Sequence, residues 1–113
     1  MDYNPFKSYI AEVKELAYKA LPAKERQKIL ARCSVGEKIK LIHSPALYHI
    51  NAIKVCRETG EQLGWLYGEI ADEIAPLLDR KAEVKAEISK ITKGGIPFRR
   101  GYRCILKILI YTE

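Results

Sequence analysis

The sequence predicts an α+β fold, built as a small, partly open β-barrel of about five to six strands that follows an N-terminal helical segment. The first third of the chain has apolar residues at helical spacing, and short β-branched runs separated by turns fill the rest. Helices that are segregated in sequence from hairpin-type strands favour this class over a parallel βαβ sheet. We therefore divide the chain into a helical extension, 1–35, and a barrel domain, 36–113.

The N-terminal extension is predicted to contain two helices. Asn4-Pro5 resembles a helix cap followed by proline at the first helical position. Apolar residues then recur at steps of three and four, which places them on one face of a helix: Phe6, Tyr9, Ile10, Val13, Leu16, Ala17, Ala20 and Leu21. Pro22 ends this helix, and a second, basic helix is expected from Ala23 to about Cys33.

Strands dominate the chain after Gly36. Short β-branched or alternating runs, turn residues and a long apolar run predict five strands, at 39–42, 52–56, 62–66, 82–89 and 102–111. A loop that contains Pro45 separates the first two, and the basic segment 94–101 separates the last two. One short helix is expected between Ile70 and Leu78, where Pro76 predicts a kink or an early end.

The composition predicts a folded domain that attracts polyanions, and the motifs that are missing predict that it is not an enzyme. A net charge of +6 and a hydrophobic fraction of 48% allow a core and attract polyanions. No P-loop, GxGxxG, GxSxG or HExxH motif occurs.

The three cysteines form no CxxC pair, which argues against a disulfide framework and indicates a reducing compartment, the cytoplasm. No apolar run approaches the ~20 residues of a membrane span. The Cys and His spacings match no usual zinc site, so we expect no metal and no cofactor.

A basic and aromatic segment near the end of the chain favours nucleic-acid binding. Arg99, Arg100 and Arg103 flank the rings of Phe98 and Tyr102 within six positions. Guanidinium groups bind phosphates through forked N–H donors, and aromatic rings stack on bases of any sequence. The alternative is a solvated loop whose two rings pack into the core.

Residues 36–79 contain a series of motifs at fixed spacing: Gly-Glu-Lys-Ile-Lys-Leu-Ile at 36–42, Tyr-His-Ile-Asn-Ala-Ile-Lys-Val at 48–55 and Gly-Trp-Leu at 64–66. This series resembles the HIRAN family, whose members occur alone in small bacterial and phage proteins and fused to SWI/SNF-type helicases. The resemblance implies a modified OB-like barrel that binds the 3′ end of single-stranded DNA. In the family an aromatic ring stacks on the terminal base, an Asp hydrogen-bonds the 3′-hydroxyl, and basic residues hold phosphates.

Carried over by position, Tyr48 is the stacking residue and His49 stands where the family has its Asp. Ser44 replaces the acidic residue before Pro45. A neutral imidazole can accept a hydrogen bond from a hydroxyl, whereas a protonated one can bind a phosphate. The predicted nucleic-acid-binding residues are Tyr48, His49, Lys54, Arg99, Arg100, Tyr102 and Arg103.

The resulting hypothesis is a module that binds single-stranded DNA or its 3′ end. We expect it to be non-catalytic, because the family's ATPase activity belongs to fused helicase domains. Helicase or repair proteins, or a second copy bound through the N-terminal helix, are further expected partners, and no membrane is. The alternative is a protein-interaction or assembly module in which the helix from Phe6 to Leu21 docks on a partner and the barrel is a scaffold.

Overall fold

The computed structural model describes Pro5 and residues 7–14, 23–93 and 102–112. These residues form six strands and two helices: β1 (Lys7–Glu12), α1 (Ala23–Ala31), β2 (Lys38–His43), β3 (Ile53–Arg57), β4 (Gln62–Leu66), α2 (Glu69–Asp79), β5 (Val84–Lys93) and β6 (Tyr102–Ile110). The five predicted strands after Gly36 are confirmed, as are the helix predicted over 70–78 and the one predicted to begin at Ala23. The predicted N-terminal helical segment as a whole is not supported, because Lys7–Glu12 is a strand. None of the described helices is long and apolar enough to cross a bilayer.

All six strands belong to one antiparallel sheet with the order β1-β6-β5-β2-β3-β4. The sheet curls into an OB-like half-barrel, so its two edge strands approach each other. Just beyond β1, Lys14 and Trp65 of β4 exchange two backbone hydrogen bonds, with N···O distances of 2.8 and 2.7 Å. The Val13 N–H donates to the Cys104 carbonyl of β6 at 2.9 Å. Residues 13 and 14 therefore link the two edges of the sheet.

The prediction of a helix from Phe6 to Leu21 is wrong over residues 7–14. β1 pairs with β6 in a continuous register from Lys7 opposite Ile110 to Glu12 opposite Ile105. Ala11 and Val13 are buried whereas Ile10 is 65% exposed, a period of two that a strand produces and a helix does not. Residues 15–22 lie outside the described part of the chain. The domain boundary at residue 36 stays a prediction, although β1 precedes it and is a strand of the sheet.

Helix α2 continues through Pro76 to Asp79, so the early end that the proline predicted does not occur. Proline has no N–H to donate to the carbonyl four residues earlier. Pro76 is exposed and lies close to the end of the helix. Only three residues of the helix follow it, so the loss of one backbone hydrogen bond there disrupts little of the helix. The helix buries Ala71, Ile74 and Ala75 in the barrel core.

The core fills the inside of the barrel, and a small second cluster lies apart from it. Ile53 and Leu66 are opposite each other and are core residues. The next pair, Lys54 and Trp65, points to the opposite face because side chains alternate along a strand. Trp65 packs there with Ala46 and Ala52, which are at the two ends of the loop between β2 and β3. This outer cluster forms the base of the candidate site.

Candidate nucleic-acid interface

The loop 44–52, between β2 and β3, is closed by its own backbone. The Ala46 and His49 amides each donate to the other's carbonyl, at 3.0 and 2.9 Å, and the Ser44 N–H donates to the Ala52 carbonyl at 2.8 Å. Between them Tyr48 has a φ of +67°, a left-handed conformation that bulky residues rarely adopt. Tyr48 is 86% exposed. A tight turn therefore presents the ring to solvent, where it is available for stacking.

Side chains from β2 and α2 also brace this loop. The Asn51 Nδ2–H donates to Asp72 Oδ1 of α2 at 3.1 Å. His43, at the end of β2, places Nε2 2.9 Å from the Ile50 carbonyl oxygen and Nδ1 2.7 Å from Asp79 Oδ1. The Asp79 carboxylate, and then the Ile50 carbonyl, raise the pKa of His43 above its ordinary value of 6.5. Both ends of α2 thus hold the loop in position.

Tyr67 lies in the centre of the site, although it is not among the binding residues predicted from the sequence. Its ring centroid is 4.6 Å from that of His49, with the planes inclined by 39°. Lys14 places Nζ 5.9 Å from the Tyr67 centroid, a cation–π distance. Two shallow depressions share Tyr67 and Gly68. One, of about 260 Å³, is lined by Tyr48, His49, Ile50, Asn51, Ala52, Tyr67, Gly68 and Asp72.

The second depression, of about 440 Å³, lies between β1 and the start of α2. Lys14, Glu12 and Glu69 are its charged lining residues, and Ile10 is exposed at its rim. No contiguous sequence signal identifies Lys14, because the closure of the barrel brings it beside Tyr67. Tyr67 directly follows the Gly-Trp-Leu motif at 64–66, and this position next to a motif is the sequence feature that could identify it as a site residue.

Lys54 is opposite Trp65 on the outer face, with Nζ 6.0 Å from the indole centroid. Trp65 is only 3% exposed, so it supports the loop and offers no free face to a base. Among the described residues, no ion pair involves Lys14 or Lys54. No carboxylate in the described part of the chain neutralises either ammonium group.

Arg103 has a different environment. Its Nε and Nη2 donate to the two carboxylate oxygens of Glu12 at 2.8 and 2.9 Å, and this carboxylate raises the pKa of Arg103. Because Glu12 lines the second depression, Arg103 is connected to the site through its partner. The backbone of Tyr102 begins β6 opposite Lys93. The Tyr102 side chain and the predicted residues Arg99 and Arg100 lie outside the described part of the chain.

The described residues hold no group of three or more His, Cys, Asp or Glu side chains that could bind a metal ion. Desolvation raises the pKa of the Cys33 and Cys56 thiols. A raised pKa disfavours the thiolate, which is the nucleophilic form of cysteine. The described side chains of the site can stack on a base, form hydrogen bonds and attract an anion.

Comparison with solved structures identifies a HIRAN-like domain fold. The HIRAN domain of human HLTF superposes with a TM-score of 0.66 at 22% sequence identity, and the match covers 97% of this chain and 79% of that one. No protein-family profile matches the sequence, and a search of curated proteins finds no match. The HIRAN-like fold expected from the motifs is therefore confirmed, including the OB-like curl of its sheet.

Proposed function

We propose that this chain is a non-catalytic module that binds single-stranded DNA, with the terminal 3′ nucleotide at the loop 44–52. One observation carries the proposal: the braced loop exposes Tyr48 beside the His49–Tyr67 pair. Lys14 and Lys54 flank Trp65 on the same outer face of the sheet, and neither has an ion-pair partner in the described part of the chain. An exposed ring next to cations is the arrangement that binds unpaired nucleotides without sequence preference. The likeness to a HIRAN fold supports the same reading.

In the proposed complex the terminal base stacks on Tyr48 and its sugar enters the depression at Tyr67. His49, which lines that depression, contacts the terminal sugar or phosphate. Lys14 and Lys54 bind backbone phosphates, and we assign the same role to Arg99 and Arg100, with Tyr102 as a second stacking ring. Arg103, which is paired with Glu12, borders the strand and contributes less to the attraction of phosphates. We propose that the module acts in the cytoplasm.

The alternative of an assembly module loses its main support. That hypothesis required an amphipathic helix from Phe6 to Leu21 as the docking element. Lys7–Glu12 is instead a strand whose register partner is β6. Ala11 in this strand, and Val13 just after it, are buried in the chain's own core. We therefore favour nucleic-acid binding.

Fluorescence anisotropy with labelled oligo-dT tests the proposal. We expect Tyr48→Ala to weaken binding by about 1–3 kcal/mol, the contribution of one base–aromatic stack. Tyr48→Phe, the matched control, keeps the ring and should bind nearly as the wild type. Since Tyr48 is exposed, neither change should lower the melting temperature. Absence of binding at ~50 mM salt, where phosphate contacts are strong, would contradict the proposal.

The same titration distinguishes an end from an internal segment of the strand. If the 3′ end is bound, a 3′-hydroxyl and a 3′-phosphate oligonucleotide should differ in affinity, and His49→Asp should shift the preference towards the hydroxyl because a carboxylate repels phosphate. Equal affinity for both ends, in the wild type and in the variant, would leave strand binding intact and contradict end recognition.

A further inference from the structure

His43 lies between two hydrogen-bond acceptors. Nδ1 is 2.7 Å from a carboxylate oxygen of Asp79, and Nε2 is 2.9 Å from the carbonyl oxygen of Ile50. Neither acceptor can donate, so both contacts are hydrogen bonds only when both ring nitrogens carry a proton. That state is the imidazolium cation. The neutral ring has one proton and must turn a lone pair towards one of the two oxygens.

The surroundings of His43 determine which contact is lost. The side chain is 17% exposed. Helix α2, which packs against β2, presents the Asp79 carboxylate; the loop presents the Ile50 carbonyl; and the β3 residue opposite His43 is the apolar Ile53. A charge-assisted bond is the stronger of the two, so the neutral ring keeps its proton on Nδ1, facing Asp79. The Ile50 carbonyl then loses its donor.

Ile50 is two residues from Tyr48, in the loop that we propose to bind DNA. Once its carbonyl is released, the loop keeps the Asn51–Asp72 bond and the backbone bonds Ala46–His49 and Ser44–Ala52, but the Ile50 side of the loop loses its bond to the His43 side chain. We propose, on the basis of the proposed function, that His43 is a positioning residue for nucleic-acid binding. Its imidazolium fixes the loop that carries Tyr48 and His49, and the affinity falls when His43 loses its proton.

The direction of the pH effect follows from the electrostatics. Asp79 raises the pKa of His43 in the folded protein above 6.5. The imidazolium contacts are therefore fully present below pH 6.5 and are lost as the pH rises through the higher, folded-state pKa. His49 is the other histidine of the chain and lines the proposed site itself, so the test must separate the two.

The test measures oligo-dT affinity between pH 6 and pH 8.5 at constant ionic strength. We expect the wild type to bind about tenfold more weakly at the upper end, the factor that the loss of one hydrogen bond to a charged group produces. His43→Arg, which keeps charge and donors throughout, should bind with little change over this range. His49→Gln keeps His43, so its affinity, whatever its absolute value, should still fall as the pH rises. A flat wild-type profile, or the same fall in His43→Arg, would overturn the proposal.

A measurement on the free protein separates failure of this inference from failure of the proposed function. The titration of His43 is followed through the NMR signals of its ring protons. In the wild type the ¹⁵N heteronuclear NOE of residues 47–50 should decrease with the same midpoint as this titration. In His43→Arg the NOE should stay constant. If oligo-dT binds at no pH, the proposed function fails, and this NOE still decides whether His43 positions the loop. An NOE that does not change across the titration overturns that role.

Discussion

Arg57, at the end of β3 remote from the loop, joins three segments through one guanidinium group. Nε donates to Glu37 Oε2 at 2.6 Å and Nη1 donates to Glu61 Oε1 at 2.7 Å. Arg32, just after α1, also pairs with Glu61. The Arg57 and Glu37 side chains are largely shielded from solvent, so water screens this pair less than an ordinary surface ion pair. The network anchors α1 to the β3–β4 hairpin.

We expect Arg57→Met to destabilise the fold by about 1 kcal/mol at pH 7, because it leaves the largely shielded Glu37 carboxylate without its arginine donors. The hydrogen bond from Arg57 lowers the pKa of Glu37 below 4.5, so its contribution is present above pH 4.5 and is lost as the pH falls through the lower, folded-state pKa. Urea denaturation of both proteins at several pH values between 7 and 3 measures this. The difference should shrink towards acid pH; a difference that stays constant would contradict the assignment.

At the same scale, the site was only partly predictable. A contiguous motif places Tyr48 and His49 in one loop, and the exposure of Tyr48 is compatible with the role proposed for it. Lys14 could not be found, since it reaches Tyr67 only through the barrel closure between residues 14 and 65. The pairing of Arg103 with Glu12 joins residues that are 91 positions apart, which no local pattern indicates.

Among the elements, β4 depends on a glycine where the edges of the sheet meet. Gly64 has a φ of +153°, and a Cβ there would lie 2.5 Å from the Lys14 carbonyl oxygen and 2.7 Å from Val13 Cγ1. Gly64→Ala should therefore cost about 2 kcal/mol or more, through steric overlap and backbone strain together. Gly60→Ala is the matched control, because its φ of +100° is also strained but nothing lies within 4 Å of its Cβ.

Thermal denaturation compares the two glycine variants. We expect both to melt below the wild type, and Gly64→Ala to melt several degrees below Gly60→Ala, since about 1 kcal/mol shifts the midpoint by roughly 4–8 °C in a domain of this size. Equal melting temperatures would mean that the contact of residues 13 and 14 with β4 does not stabilise the barrel.

The elements that the sequence predicted correctly are those whose pattern has one interpretation. β6 is a long apolar run and β4 follows the turn at 58–61 as a hairpin partner, and the predicted bounds of both agree with the structure to within one residue. β1 was assigned to a helix because Tyr9, Ile10 and Val13 fit a helical face. Its true period of two is obscured by Ile10, an apolar residue on the exposed face. Pairing with β6 decides the outcome, and that pairing is not visible locally.

For the whole molecule, the net charge of +6 matters less than which cations remain unpaired. Arg32, Arg57 and Arg103 are neutralised by carboxylates, whereas Lys14 and Lys54 have no ion-pair partner among the described residues. A cation that is already paired adds little to the attraction of a phosphate, because the partner carboxylate repels it. The two groups should therefore differ in how they affect the salt dependence of binding.

We expect Lys54→Gln to reduce the slope of log affinity against log salt by about 0.7, the value for one phosphate contact with a single strand. Arg103→Gln removes the same charge and should change the slope much less, because Glu12 already neutralises the guanidinium. The double variant Arg99→Gln and Arg100→Gln should reduce it by about 1.4 if both arginines bind phosphates. The measurement is an oligo-dT titration at four or more salt concentrations. If Arg103→Gln flattened the slope as much as Lys54→Gln, net charge would govern binding, and the location of Lys14 and Lys54 beside Tyr67 and Trp65 would not.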